Sequence, residues 1–382
     1  MNRQNKLMVY HGYSQLGETI GSSAVKCKLV SSSPVIPTDL KELHRVCLTE
    51  FKTAIVLGKD EEFHLVAMAS RDSTLPSFWV FSVSPGLYHS CLNMLMTRCL
   101  GIVFDLDETL VATFTLNSFG DKIRGLEALI LNEIDEAKKV ELSEELDGYR
   151  SDMNRLQQYI ENDQIVDNEV IILPELEEIT SDGQDRFYRP VIRLPDKNVI
   201  LTRINPEIRD TSLLIKVRPD WEELRSTFTA VAAKRFEVYV CTKSQRDYAL
   251  EVWRLLYPEA HLISLKEQKD RIVCVPPNVM KSLTTVFNGG SCHPKITMIV
   301  DDRLEVWEDK DSPRIHRIAP YLPHSPLELV NRPLIHTRQL AINFRAYFFR
   351  QFDESSVRSY RVCYEESVLP PSPSINYINA LQ

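Results

Sequence analysis

None of the eight cysteines (Cys27, Cys47, Cys91, Cys99, Cys241, Cys274, Cys292 and Cys363) stands in a Cys-x-x-Cys pair. That spacing argues against a zinc ribbon and against a disulfide framework. Reduced thiols in an intracellular compartment are the simpler expectation. Cys292 and His293 are adjacent, but a lone pair of this kind is far more often an ordinary loop than a ligand set. An excess of positive charge is missing too. Lys and Arg number 45 against 53 Asp and Glu, for a net charge of −8. The pI near 5.7 argues against a general nucleic-acid-binding surface, while leaving room for a local basic patch. No basic-then-apolar leader is read at the polar N-terminus. The most apolar stretch, from Cys91 to Phe104, is short and holds Arg98 and Gly101, so no membrane span is expected. The bulk is ordinary, with 43% hydrophobic and 26% charged residues in 382, enough for two domains.

The most informative stretch is Leu100-Gly101-Ile102-Val103-Phe104-Asp105-Leu106-Asp107-Glu108-Thr109-Leu110. Its apolar half reads as a strand buried on both faces, as in the centre of a parallel sheet. Such sheets carry their chemistry just beyond the carboxyl ends of the strands, where Asp105 and Asp107 fall. A buried strand has no structural use for two charges at its tip. Helix N-capping would account for one Asp and leave the other unexplained.

Around this stretch the chain divides by pattern. Residues 1–98 read as a β-rich region without a catalytic constellation. Lys6–Tyr10 is one strand-like run, Thr53–Leu57 and Phe63–Met68 flank a Gly-containing turn as a hairpin, and Ser77–Val83 follows. Phe78, Trp79 and Phe81 read as core, and Ser31 to Pro34 as a loop. Residues 117–168 are rich in Glu, Asp, Lys and Leu at helical spacing, which predicts a pair of amphipathic helices inserted after the first core strand. Short strand-like runs follow at 170–173, 191–194, 199–201 and 213–217. Asp220 and Glu223 have the spacing of a capping box for a helix to about Lys234. Buried strands are then expected at 236–240, 271–275 and 296–300, with a helix opened by Ser244 and Asp247 and closed by Pro258. Strands alternating with helices imply a parallel α/β sheet. Beyond about residue 320 the pattern weakens to one helical segment, Phe344–Phe352. The Pro/Ser-rich tail, 366–382, reads as disordered and suggests a shortened form of a longer parent.

Four signals recur in order at strand ends or on the helix that follows. They are Asp105 with Asp107, then Thr242, then Lys281, then Asp301 with Asp302. Phosphoryl transfer needs such a set. One carboxylate can attack phosphorus and split a hard hydrolysis into two easier steps. A second can protonate the leaving oxygen and then take a proton from water. Transition-state charge on the phosphoryl oxygens calls for a cation. Mg²⁺ suits a site made only of oxygen ligands. A hydroxyl and an ammonium can hold the remaining oxygens.

The same residues carry a resemblance. Asp105-Leu106-Asp107-Glu108-Thr109-Leu110 resembles the first motif of the haloacid-dehalogenase-like phosphohydrolases, in which the first Asp is the nucleophile and the second the general acid/base. Val240 to Lys243 resembles the second motif, Lys281 the third, Asp301-Asp302-Arg303 the fourth, and Arg218-Pro219 the Arg-Pro before the second. Within the superfamily the chain is similar to the branch that dephosphorylates the C-terminal repeat domain of RNA polymerase II, and over residues 1–365 to its plant members. The resemblance implies a Rossmann-like α/β core at 99–320 with the helical insertion at 117–168, the β-rich region before it and a C-terminal extension at 321–365. It implies phosphate binding by Thr242 and Lys281. It implies metal binding by Asp105, Asp107, Asp302 and Asp301, with Asp302 the first choice of the last two. The metal would be Mg²⁺, with Mn²⁺ or Co²⁺ as substitutes. It further implies a protein serine phosphatase acting in the nucleus on phosphorylated polymerase repeats, the fifth-position phosphoserine foremost, and so regulating transcription. Transcription factors would be further partners; from its own charge and hydropathy the chain is expected to bind neither nucleic acid directly nor membrane. The alternatives are a phosphatase for another phosphoprotein or a small phosphomonoester, and a scaffolding adaptor.

Overall fold

The structure is a computed structural model. It describes residues 24–28, 38–49, 53–57, 62–68, 77–83, 86–180, 186–229, 236–259, 262–288 and 291–360. The strand-like run at Lys6–Tyr10, the loop at Ser31 to Pro34 and the tail at 366–382 lie outside the described residues. The chain forms two compact units, one drawn from Met1–Leu100, Phe287–Thr297 and Phe344–Gln382, the other from Gly101–Val286 and Met298–Asn343.

In the first unit, β1 (Ala24–Lys28), β2 (Thr53–Leu57), β3 (Glu62–Met68) and β4 (Ser77–Val83) form an antiparallel sheet in the order β1-β4-β3-β2. The hairpin β2–β3 pairs Thr53 with Val66 and Leu57 with Glu62. Phe78 is buried, as expected of a core residue, whereas the side chains of Trp79 and Phe81 lie outside the described ones. Two helices correct the strand-only reading, α1 (Thr38–Thr49) and α2 (Leu87–Thr97). Short apolar runs look alike in either state, and α2 buries Cys91 and Met94 three residues apart, a helical spacing.

The second unit holds β5 (Leu100–Phe104), buried at every position. After it come β6 (Val111–Phe114), α3 (Leu116–Asn132) and α4 (Glu136–Asn162). The helix pair matches the expected insertion, although helix ends at Asn162 and the remainder up to 168 begins the hairpin β7 (Ile165–Asp167) and β8 (Val170–Ile172). The strand-like run at 170–173 is β8 itself; an unread strand, β9 (Glu175–Thr180), follows, and the later runs fall in β10 (Arg186–Leu194), β11 (Val199–Arg203) and β12 (Ser212–Val217). With β6, β9 to β12 build an antiparallel sheet of their own, in the order β6-β12-β11-β10-β9. One face presents Ile192, Leu194, Val199, Leu201 and Leu214 to Phe119, Leu146, Tyr149 and Leu156 of the helix pair. These sheet residues alternate at a period of two and the helical ones recur near 3.6, so each element hides one face against the other.

The core then resumes with α5 (Trp221–Thr229), β13 (Phe236–Thr242), α6 (Arg246–Leu256), the single turn α7 (Gln268–Arg271), β14 (Ile272–Cys274), the single turn α8 (Leu283–Val286), β15 (Thr297–Asp301) and β16 (Ile315–Arg317). Its sheet has the order β14-β13-β5-β15-β16, with β13–β14 and β15–β16 parallel. This is the α/β parallel sheet expected from the alternation of strands and helices. The capping box is a correction. Asp220 precedes α5 at φ 67°, and both of its carboxylate oxygens accept from Arg332. Residues 230–235, the expected end of that helix, lie outside the described residues. The C-terminal helix is also longer than read. After α9 (Pro326–Asn331), α10 runs Pro333–Tyr360, and Pro at its start fits the first turn.

Candidate active site

β5 is the middle strand, and β13 and β15 flank it, so three strand ends meet at one edge of the sheet. They deliver Asp105, Thr242 and Asp301 with Asp302. The Asp105 amide donates to the Val300 carbonyl (3.0 Å), which locks the two aspartate-bearing ends together. Beyond Asp105 the chain turns sharply, with Glu108 at φ 60° and the amides of Thr109, Leu110 and Val111 all donating to the Leu106 carbonyl. Arg218, fully buried, donates to the Thr109 carbonyl (3.1 Å) and pairs with Glu328 (2.8 Å), so the Arg-Pro motif pins the back of this turn.

Lys281 enters from the loop before α8. Its backbone is pinned on both sides, its amide to the Val306 carbonyl (2.7 Å) and its carbonyl to the Glu308 amide (3.0 Å). The ammonium is fully buried and bridges Asp105 Oδ1 and Asp301 Oδ2, each at 2.7 Å. Those two carboxylates hold the Lys281 ammonium above the usual lysine range against the opposing effect of burial. Asp301 is fully engaged. Its Oδ2 also accepts from the Trp307 indole (2.8 Å), and its Oδ1 from the Arg303 amide (2.9 Å). Asp302 is freer, with Oδ1 accepting from Thr109 (3.2 Å).

Asp105, Asp301 and Asp302 place carboxylate oxygens within 4.8 Å of one another. Three buried carboxylates face one ammonium, an excess of two negative charges when all are ionised. Burial, with the charges of Asp301 and Asp107 adding and Lys281 opposing, pushes Asp105 up to about 7. Burial and Asp301 raise Asp302 as well. Asp105 Oδ2 is buried without a hydrogen-bond partner. An orphaned carboxylate oxygen in an over-acidic, all-oxygen cluster fits a hard divalent cation. Asp105, Asp301 and Asp302 could together hold such a cation, although Asp301 also holds Lys281, Trp307 and the Arg303 amide.

Asp107 is not part of that trio. Its carboxylate turns to α6, where Oδ2 accepts from Ser244 Oγ (2.6 Å) and Oδ1 from the Tyr248 hydroxyl. Burial and Asp107 push the Tyr248 phenol well above its usual range, so it remains a donor. Thr242 is buried at its strand end and accepts from the Ser244 amide (3.1 Å). The structure thus joins Asp105 and Asp301 through Lys281, sets an Asp302 oxygen within 4.8 Å of theirs, and links Asp107 to Thr242 through Ser244. Sequence reasoning missed Ser244 and Tyr248 as site residues. Their nearness to the second motif was the available signal, Ser244 lying two residues past Thr242 and Tyr248 in the first turn of α6. Lys243 was missed too. Its ammonium donates to the carbonyls of Pro276 (3.4 Å), Pro277 (3.2 Å) and Val279, clasping the loop that carries Lys281.

A parallel sheet thus carries a paired-aspartate turn at its central strand end, a lysine between carboxylates and an acidic pair on the neighbouring strand. Comparison with known proteins identifies the branch to which the chain is similar. Residues 187–341 match the NLI interacting factor-like phosphatase family, and residues 11–82 the CPL1/2 SPOC domain. The chain is 47% identical over 384 residues to RNA polymerase II C-terminal domain phosphatase-like 1 of Arabidopsis thaliana, covering 96% of this chain and 40% of the relative. It is 29% identical over 119 residues to an RNA polymerase II C-terminal domain phosphatase of Saccharomyces cerevisiae, covering 30% of this chain and 14% of that one. The chain therefore spans well under half the length of either relative. Among solved structures it is similar to a fission yeast RNA polymerase II CTD phosphatase Fcp1 bound to beryllium fluoride, at 12% identity and a TM-score of 0.38, over 76% of this chain and 72% of that one. A second structure of Fcp1 matches at 15% identity and a TM-score of 0.32, over 75% and 60%. The resemblance read from the sequence motifs is borne out by the Arabidopsis relative and by the phosphatase family match.

Proposed function

We propose that this chain is a metal-dependent protein serine phosphatase that acts in the nucleus on the phosphorylated heptad repeats of RNA polymerase II, the fifth-position phosphoserine foremost. One observation carries the chemistry: the orphaned, buried Asp105 oxygen beside the Lys281 ammonium, two residues from a carboxylate held by two hydroxyls. The substrate class rests on the Arabidopsis relative.

In the first step Asp105 attacks phosphorus. The bond from phosphorus to the serine oxygen breaks, and that oxygen leaves with a proton from Asp107. In the second step Asp107 takes a proton from water as the water oxygen attacks phosphorus. The bond from phosphorus to Asp105 then breaks, restoring the carboxylate and releasing phosphate. Lys281 and Thr242 steady the phosphoryl oxygens. Mg²⁺ bound by Asp105 and Asp302 would offset the charge that builds on those oxygens. Mn²⁺ and Co²⁺ are the expected substitutes. The β-rich N-terminal region is the part proposed to hold transcription-factor partners.

Phosphate release from doubly phosphorylated repeat peptides, with mapping of the phosphate that is lost, tests this reading. Turnover should require a divalent cation and favour the fifth position. Full turnover after exhaustive chelation, or no turnover of any repeat peptide at saturating Mg²⁺, would overturn it.

A further inference from the structure

The Asp107 carboxylate is not left to find its own orientation. Both oxygens accept hydrogen bonds from the start of α6, one from Ser244 (2.6 Å) and one from Tyr248. Each oxygen has two lone pairs, so one remains on each for a travelling proton. The Tyr248 oxygen also lies 2.7 Å from the hydroxyl of Thr113. A phenol has a single proton. If Tyr248 gives it to Asp107, it must accept from Thr113, and the three groups form a directional relay.

Thr113 belongs to β6, the edge strand of the antiparallel insertion sheet, where it pairs with Ile215 of β12. The same side of α6 is fastened to that sheet one and two turns further on. Glu251, buried, pairs with Arg189 of β10 and accepts from Thr202 of β11 (3.5 Å). Arg193 of β10 donates to the Leu255 carbonyl (2.9 Å). Tyr248, Glu251 and Leu255 recur at i, i+3 and i+7, one face of a helix. The sheet therefore sets the position of the helix, and the helix sets the phenol against Asp107.

We propose that Tyr248 is a positioning residue for Asp107, and that Thr113 makes this positioning dependent on the insertion sheet. The proposal rests on the phosphatase reading of the site and assigns the sheet a part in proton delivery. A misdirected acid hurts most where the leaving oxygen is a poor one. An alkyl phosphate needs the proton during bond cleavage, and an aryl phosphate needs little help.

The test compares the full-length wild type with Tyr248→Phe and Thr113→Val on a phosphoserine repeat peptide and on p-nitrophenyl phosphate, at saturating Mg²⁺. Thermal melting of each protein is recorded alongside. Tyr248→Phe should lower kcat on the phosphopeptide by about tenfold or more, with KM little changed, because general acid–base catalysis contributes roughly 10²–10⁴-fold. Release of p-nitrophenol in the first turnover should be much less affected, leaving a burst. Thr113→Val should show the same leaving-group split at smaller size. Equal losses in the first turnover on both substrates, or a loss confined to KM, would overturn the positioning role, as would a Tyr248→Phe enzyme indistinguishable from wild type. If Tyr248→Phe fails to fold, Thr113→Val decides alone, and the absence of a split there overturns the proposal. A folded wild type inactive on both substrates would instead overturn the phosphatase reading, and this proposal with it.

Discussion

Lys281 Nζ donates to Asp105 Oδ1 at 2.7 Å with both side chains out of contact with solvent. Taking Lys281 away leaves Asp105 and Asp301 buried without their shared cation, the costliest way to alter such a pair. Lys281→Ala should lower stability by about 3–5 kcal/mol, read as a drop in denaturation midpoint. Mg²⁺ should recover part of that loss, because a cation can replace the missing positive charge. A variant as stable as wild type in the absence of metal would show that the pair is not electrostatically committed.

The two motif aspartates should separate under mutation. Asp105→Asn removes the nucleophile and should abolish turnover of every substrate. Asp107→Asn leaves the nucleophile, so with an aryl phosphate a phosphorylated enzyme should accumulate, its hydrolysis stalled for want of a base. Rapid-quench trapping reads this directly. Absence of the phosphoenzyme, together with residual turnover by Asp105→Asn, would replace the covalent route with direct attack by water.

Acid stability should depend on Asp152, a buried residue of α4 that accepts from Arg155 (2.7 Å) and His324 (2.9 Å) and pairs with Lys216 (3.0 Å). Burial alone would raise its pKa, but His324 and Lys216 outweigh burial and hold it below the ordinary 3.8. A carboxylate with a depressed folded-state pKa contributes stability that is complete above the ordinary value. The contribution is lost as pH falls through the lower, folded one. The wild type should therefore lose an increment of stability below about pH 4 that Asp152→Asn lacks. Parallel urea midpoints for the two proteins between pH 3 and 7 would refute this.

Gly148 lies one turn before Asp152, and a Cβ there would collide with the His324 ring. The ring cannot simply swing aside, being held by Asp152 and packed edge-on against Tyr149 at 4.7 Å. Gly148→Ala should therefore destabilise by about 1–3 kcal/mol despite the better helix propensity of alanine. Adding His324→Ala should relieve much of the added cost, visible as a coupling in a double-mutant cycle. Strictly additive effects would mean that the ring moves freely.

The parallel core was written in local pattern. Five apolar residues before Asp105, the run before Asp301 and the alternation of strand with helix between them are one-dimensional signals, because a strand buried on both faces must be apolar throughout. The paired helices of the insertion were legible for the same reason, their apolar residues falling at helical spacing. Tertiary structure alone decided the rest. That the runs at 191–194, 199–201 and 213–217 join Val111–Phe114 in a separate antiparallel sheet depends on pairing across a hundred residues, which no local period encodes. That Asp220 spends its carboxylate on Arg332 and not on its own helix depends on a guanidinium brought from 112 positions away. The chemistry of Asp105 and Asp107 divides in the same way. Their residue types mark them as acids in any fold, but only packing surrounds Asp105 with Lys281 and Asp301 and turns Asp107 toward Ser244 and Tyr248, because burial and charge come from neighbours in space.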